Sequence, residues 1–139
     1  MHTLLHKLHA RKGFTLLELL VVISIIGVLI GLASVSFTTA QRKARNAKRR
    51  ADIKAVQNAF EQYYAGNNAY STNCTTMASA SMSQGVPTDP KNGASYDLTC
   101  STTSAYCICA ALESETGNAG AACDYSAGTK LYYCLTNLQ

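Results

Sequence analysis

Absences organise this chain of 139 residues. It has no acidic residue before Glu18, no charge of either sign over positions 19–41, and no histidine after His9. Cysteine is missing before Cys74 and proline before Pro87. Without histidine beyond position 9, a histidine-dependent catalytic triad is excluded from the body of the chain. Zinc is disfavoured too, because the paired Cys-x-x-Cys spacings of a zinc ribbon are also missing. With no proline over 14–64, and no glycine there after Gly31, nothing interrupts a helix. The 23 uncharged positions 19–41 would rise about 35 Å as a helix, against a hydrocarbon core of about 30 Å. That is long enough to cross a membrane.

What stands at the start of this run is Gly13-Phe14-Thr15-Leu16-Leu17-Glu18. A glutamate just inside an apolar helix costs about 3 kcal/mol on insertion scales, so it marks a functional position. Three readings of the segment compete. A secretory signal has a basic start, an apolar stretch of roughly 7–15 residues and a small-residue cleavage site. Lys7, Arg11 and Lys12 supply the basic start, but the apolar run is too long and Thr38-Thr39-Ala40 is a poor site. A plain single-pass anchor explains the length and gives Glu18 no purpose. A leader removed before the apolar helix keeps that helix in the mature protein.

The formal charge of +4 is distributed unevenly. Positions 1–13 hold three bases and no acid. Seven bases lie over 42–54 with only Asp52 among them, whereas six acids and two bases follow from Ala55 onward. All six cysteines, Cys74, Cys100, Cys107, Cys109, Cys123 and Cys134, fall in this last part. An even count in a small polar domain reads as three disulfides in an oxidising compartment. In so small a domain, links of about 2–4 kcal/mol each decide whether it stays folded.

Ala40, Ala44, Ala47, Ala51 and Ala55 recur at steps of three and four, which predicts one helical face. Val56, Ala59, Phe60 and Tyr63 widen it, with Ile53 at its flank. One helix of about 50 residues and roughly 75 Å should end at Gly66-Asn67-Asn68. Beyond it, runs at 95–99, 105–111 and 130–136 predict a three-stranded antiparallel sheet laid on the helix. Turn-forming stretches at 88–93 and 117–120 separate them. The fold class is thus α+β: a long N-terminal helix, half transmembrane and half packed, carrying a small disulfide-stapled head. Strand alternation places Cys107 and Cys109 on one face and Ile108 on the other. Six cysteines allow 15 connectivities; Cys100 with Cys107 across a hairpin, and Cys134 with Cys109 or Cys123, are preferred.

Lys12-Gly13-Phe14-Thr15-Leu16-Leu17-Glu18-Leu19-Leu20-Val21-Val22-Ile23 resembles the class III signal of type IV prepilins and the related pseudopilins. The resemblance implies a type IV pilin-like fold and cleavage between Gly13 and Phe14 by a prepilin peptidase on the cytoplasmic side. It implies N-methylation of the new Phe14 amine. It also implies an assembly salt bridge between Glu18 and the N-terminal amine of a neighbouring subunit. The corresponding divisions are a cleaved leader at 1–13, a transmembrane and filament-core helix at 14–37, its continuation at 38–66, and a β-rich head at 67–139. His2, His6 and His9 would leave with the leader. Many relatives carry a proline near Val35 and a Tyr-Pro pair at the end of the helix. This chain has neither, with Tyr70-Ser71 in the latter place, so Gly27 and Gly31 remain the weaker points of the helix.

Other motifs carry less. The run Arg42-Lys43-x-Arg45-x-x-Lys48-Arg49-Arg50 lacks interleaved aromatics, so lipid and inter-subunit contacts are favoured over nucleic acid. It opposes the positive-inside rule, which disulfides and the processing signal override. Gly27-x-x-x-Gly31 is as readily incidental as a packing motif. Glu113, Glu115 and Asp124 lie where some major pseudopilins bind calcium, yet without a recognisable ligand spacing they read as solvated surface. Tyr63, Tyr64, Tyr70, Tyr132 and Tyr133 read as half-buried packing. No cofactor, no metal and no catalysed reaction is expected.

The chain therefore reads as a pilus or pilus-like filament subunit serving adhesion, motility or DNA uptake, with itself, the inner-membrane assembly machinery and membrane lipids as partners. It would cross the cytoplasmic membrane once, N-terminus in and head out, before joining an extracellular filament. A major pseudopilin of a type II secretion system, or a minor pilin, is the first alternative. A membrane-anchored, disulfide-rich binding domain that never polymerises is the second.

Overall fold

A computed structural model of the chain describes residues 13–139; positions 1–12 of the expected leader lie outside the described residues. Helix α1 runs Leu16–Asn67, 52 residues. It stops where Asn68 turns left-handed, at φ 54°, with its N–H still donating to Tyr64 O at 2.7 Å. Asparagine accepts this conformation more readily than most residues, and the Asn67 side chain caps Tyr63 O at 2.8 Å.

The described chain divides into two compact units after Thr38. In the first, residues 13–38 are exposed throughout, and the helix there is long and apolar enough to cross a membrane. In the second, α1 packs on the head through Ile53, Val56, Ala59 and Phe60, each at most 3% exposed. The alanine stripe does not. Ala44, Ala47, Ala51 and Ala55 face solvent, while the buried face begins with Asn46, Arg49 and Asp52. The three-four period holds, but the upper half of this face is held by polar bonds, which an apolar pattern cannot register.

The head adds helix α2 (Cys74–Ser81) and strands β1 (Asp97–Thr99), β2 (Cys107–Ala111) and β3 (Tyr132–Thr136), with a 3₁₀ turn at Ala121–Cys123. The sheet is antiparallel in the order β1-β2-β3, with Asp97 opposite Cys109 and Cys109 opposite Cys134. β2 is covered on both faces, as alternation requires. Ile108 and Ala110 join Phe60, Tyr70, Met77 and Tyr106 against α1. Cys109 joins Cys134 and Ala119 on the far side, with Cys107 and Cys123 packed beside them. Around Phe60 and Tyr70, the Tyr106 ring makes edge contacts at centroid distances of 5.0 and 4.9 Å, a preferred aromatic geometry.

The disulfides are Cys74–Cys100, Cys107–Cys123 and Cys109–Cys134. The preferred Cys100–Cys107 link is therefore corrected. Leaving β1, Cys100 turns into the core beside α1, whereas Cys107 lies on the opposite face of the sheet. Cys100 instead meets Cys74 at the start of α2. That helix was not anticipated in a stretch rich in Ser, Thr and Asn. Its signal is the Asn73 cap, whose side chain accepts from Thr75 N and Thr76 N at 2.9 and 3.3 Å, followed by the buried Met77. The far face closes over β3 at Gly117, whose N–H donates to Lys130 O at 2.8 Å. A Cβ there would collide with the Tyr132 carbonyl, so only glycine fits.

Candidate assembly interface

The start of α1 is built by a reciprocal cap. Thr15 N and Thr15 Oγ1 both donate to Glu18 Oε2 at 2.8 Å, and Glu18 N donates to Thr15 Oγ1 at 3.2 Å. This is a capping box, legible as Thr-x-x-Glu before an apolar run. The box gives Thr15 a role and engages one carboxylate oxygen of Glu18. Among the described residues, Oε1 of Glu18 has no hydrogen-bond partner. Phe14 beside it is 88% exposed, and nothing lies within 4 Å of where a side chain at Gly13, Gly27 or Gly31 would begin.

Further along, the basic run serves the head of its own chain. Arg49, 2% exposed, donates from Nε and Nη2 to both Asp89 oxygens at 2.6 and 3.0 Å. Its Nη1 reaches Asn46 Oδ1 at 2.8 Å and Glu113 Oε1 at 2.7 Å. Arg45 grips Glu113 in a two-pronged pair at 2.8 and 2.7 Å. Arg50 holds Glu115 at 2.7 Å and lies over the Tyr133 ring at 5.1 Å. Lys48 pairs with Asp52 at 2.7 Å, whose other oxygen accepts from Tyr96 Oη at 2.8 Å. The guanidinium of Arg45 beside Glu113, and that of Arg49 beside Asp89, hold these carboxyls below their ordinary range. The same contacts hold both arginines more firmly protonated.

Two expectations change here. Arg45, Lys48, Arg49 and Arg50 are ion-paired within the chain, leaving Arg42 and Lys43 as the members of the run with no ion pair among the described residues. Glu113 and Glu115 are ion-paired, where solvated surface was expected, because the turn at 112–115 docks on the helix through Asn46. That side chain donates to Glu113 O at 3.0 Å and Glu115 Oε2 at 2.8 Å, and accepts from Glu113 N at 3.0 Å. Asp124 stands apart, accepting from Ser126 at 2.6 and 3.0 Å. Among the described residues, the grouping of metal-ligating type is Cys107, Cys109 and Cys123, all three in disulfides.

Below the network, Glu61 organises the end of α1. Its Oε1 accepts from Tyr106 Oη at 2.6 Å, Tyr70 Oη at 3.0 Å and Leu138 N at 3.1 Å. Burial first, and then the Glu61 carboxylate, push the Tyr70 phenol up to about 12; Tyr106 is pushed up more strongly for the same reasons. Of the tyrosines singled out in the sequence, Tyr70 is fully buried and Tyr63, Tyr64, Tyr132 and Tyr133 are half-buried. Tyr96 and Tyr106, both buried, gave no sequence signal apart from position in a strand-like run.

Residues 8–34 match the family described as the prokaryotic N-terminal methylation motif. The type II secretion system core protein G of Escherichia coli (strain K12) is 39% identical over 87 residues, 63% of this chain and 58% of that protein. The corresponding protein of Aeromonas hydrophila is 42% identical over 62 residues, 45% of this chain and 43% of that protein. The chain thus spans about half the length of these secretion relatives. The type IV wide pilus major component PilA4 of Thermus thermophilus is 30% identical over 99 residues, 71% of this chain and 72% of that protein.

Proposed function

Because this chain belongs to the type IV pilin and pseudopilin family, we propose that it is a structural subunit that polymerises through α1 into a pilus or pilus-like filament. The observation that carries this is the start of the helix. Glu18 holds its own cap with one oxygen and, among the described residues, leaves the other without a hydrogen-bond partner, at the head of an apolar surface exposed from 13 to 38. An acid so placed in lipid, or in a dry helical core, attracts a cation strongly. Cleavage between Gly13 and Phe14 by a prepilin peptidase creates one, the Phe14 amine, which is then N-methylated. The amine of one subunit pairs with Glu18 of the next and sets the register. Before assembly the chain crosses the cytoplasmic membrane once, head outward, and the assembly machinery draws it into a surface filament. The role is mechanical and non-catalytic.

A second reading is a major pseudopilin of a type II secretion system. The 39% identity to the E. coli core protein G favours it, while the longer coverage of the pilus component favours the first. Deleting the gene separates them: loss of a surface fibre supports the pilus, and loss of protein export alone supports secretion.

The shared core of both readings is tested by Glu18→Gln, since glutamine still completes a capping box but carries no charge. Cleaved, head-folded protein that fails to form filaments is the expected result. Normal filaments from Glu18→Gln, or a mature chain that still begins at Met1, would overturn it.

A further inference from the structure

A groove of about 440 Å³ lies between the outer turns of the packed half of α1 and the 113–115 turn. We propose that it holds the phosphate of an anionic phospholipid headgroup while the chain is in the membrane, a site that rests on the membrane-anchored reading above. Its floor is one helical stripe, Thr39, Lys43, Asn46, Ala47 and Arg50, with Arg42 at the rim and Glu113 to Glu115 as the wall.

The charge of this groove follows from the pairing. Arg45, Arg49 and Arg50 approach the wall carboxylates, and Asp89 takes the second contact of Arg49. Lys91 adds a further contact to Glu113 at 3.5 Å. The carboxylates are therefore already answered. Arg42 and Lys43 are exposed and make no ion pair among the described residues, so they leave the groove with two uncompensated positive charges. A phosphate fits both, together with the partly exposed Arg50.

The position in the chain selects the source of that phosphate. Arg42 is the first charge after 23 uncharged residues, so in an inserted chain it emerges at the headgroup layer, where each cation near an anionic surface is attracted appreciably. A nucleic acid would need a longer unpaired basic track or stacking aromatics. Here the track is mostly consumed by ion pairs within the chain, no aromatic residue lines the groove, and the Tyr133 ring is already under Arg50.

The test uses the full chain in neutral detergent micelles. Native mass spectrometry reads adducts with phosphatidylglycerol, phosphatidylcholine and inorganic phosphate. The expected result is retention of phosphatidylglycerol on the order of tenfold above phosphatidylcholine, from two added cation contacts. Arg42→Gln/Lys43→Gln should bring it to the phosphatidylcholine level with an unchanged thermal midpoint, because neither side chain makes an ion pair among the described residues. Lys130→Gln should retain the preference. Equal retention of the two lipids, or a double variant that keeps the preference, overturns the site. So does displacement of phosphatidylglycerol by equimolar inorganic phosphate, which assigns the groove to a free anion. Loss of filaments in the double variant with lipid preference intact would assign it to a subunit contact, again overturning the proposal. Lipid preference without filaments in the unaltered chain leaves this site standing and removes the assembly reading alone.

Discussion

Arg49 and Asp89 meet through two parallel hydrogen bonds, Nε to Oδ2 at 2.6 Å and Nη2 to Oδ1 at 3.0 Å, across 40 positions of sequence. The pair joins α1 to the loop that precedes β1. The loop presents Asp89 by closing on itself: Asp89 N donates to Ala94 O and Gly93 N to Asp89 O, both at 2.8 Å. Gly93 sits at φ 70° to permit it.

Removing this guanidinium should be costly. Arg49→Met leaves Asp89 and Glu113 with diminished compensation in a mostly covered site, and breaking a buried pair typically costs about 3–5 kcal/mol. Chemical denaturation of the head signal measures it. A loss below about 1 kcal/mol would mean that Arg45 and Lys91 carry Glu113 unaided.

Acid should weaken the same contact. Asp89 and Glu113 have folded values below their ordinary ones, so their contribution is fully present only above their unfolded range, at about pH 5 and higher. It is lost as pH falls through the depressed values. Stability measured from pH 7 downward should hold to about pH 5 and then decline, with a shallower decline in Arg49→Met. An equal slope in the two proteins would remove the arginine as the cause.

At the alkaline end, Tyr70 is held protonated up to about 12, against about 10 in an unfolded chain. A raised value means that the stabilisation is present below pH 10 and is lost as pH rises from 10 to 12. Phenolate absorbance should show a late-titrating class of tyrosines that becomes ordinary when near-ultraviolet circular dichroism collapses. Glu61→Gln should lower the Tyr70 titration, because the carboxylate opposes the phenolate.

Replacing Cys74 and Cys100 together by serine opens a 26-residue span that fastens α2 to the end of β1. A loss of about 3 kcal/mol is expected from the closed-loop entropy, read as a lowered denaturant midpoint. Mapping of disulfide-linked peptides should return Cys74–Cys100, and a Cys100–Cys107 peptide would contradict the fold.

Much of the architecture was legible because it depends on local pattern. The apolar run, the missing proline and the Asn68 stop announce α1, and alternation in Cys107-Ile108-Cys109 separates the two faces of β2. The cap is equally local, since Thr15-x-x-Glu18 before an apolar run is a capping-box spacing. The ion network was not legible. Arg49 and Asp89, or Asn46 and Glu113, share no spacing that periodicity can detect. The alanines misled for a related reason: a small apolar side chain fits a solvent face as readily as a packed one.

From the order of its residues alone, this chain determines a long helix led by Thr15 and Glu18 and followed by a cysteine-rich sheet, because helix and strand periods act over a few neighbours. Only the tertiary structure decides which face of α1 meets the head, which cysteines join, and which of the bases after the apolar run are ion-paired to the head. Those choices depend on contacts between distant positions, whose energies exist only once the chain has brought them together.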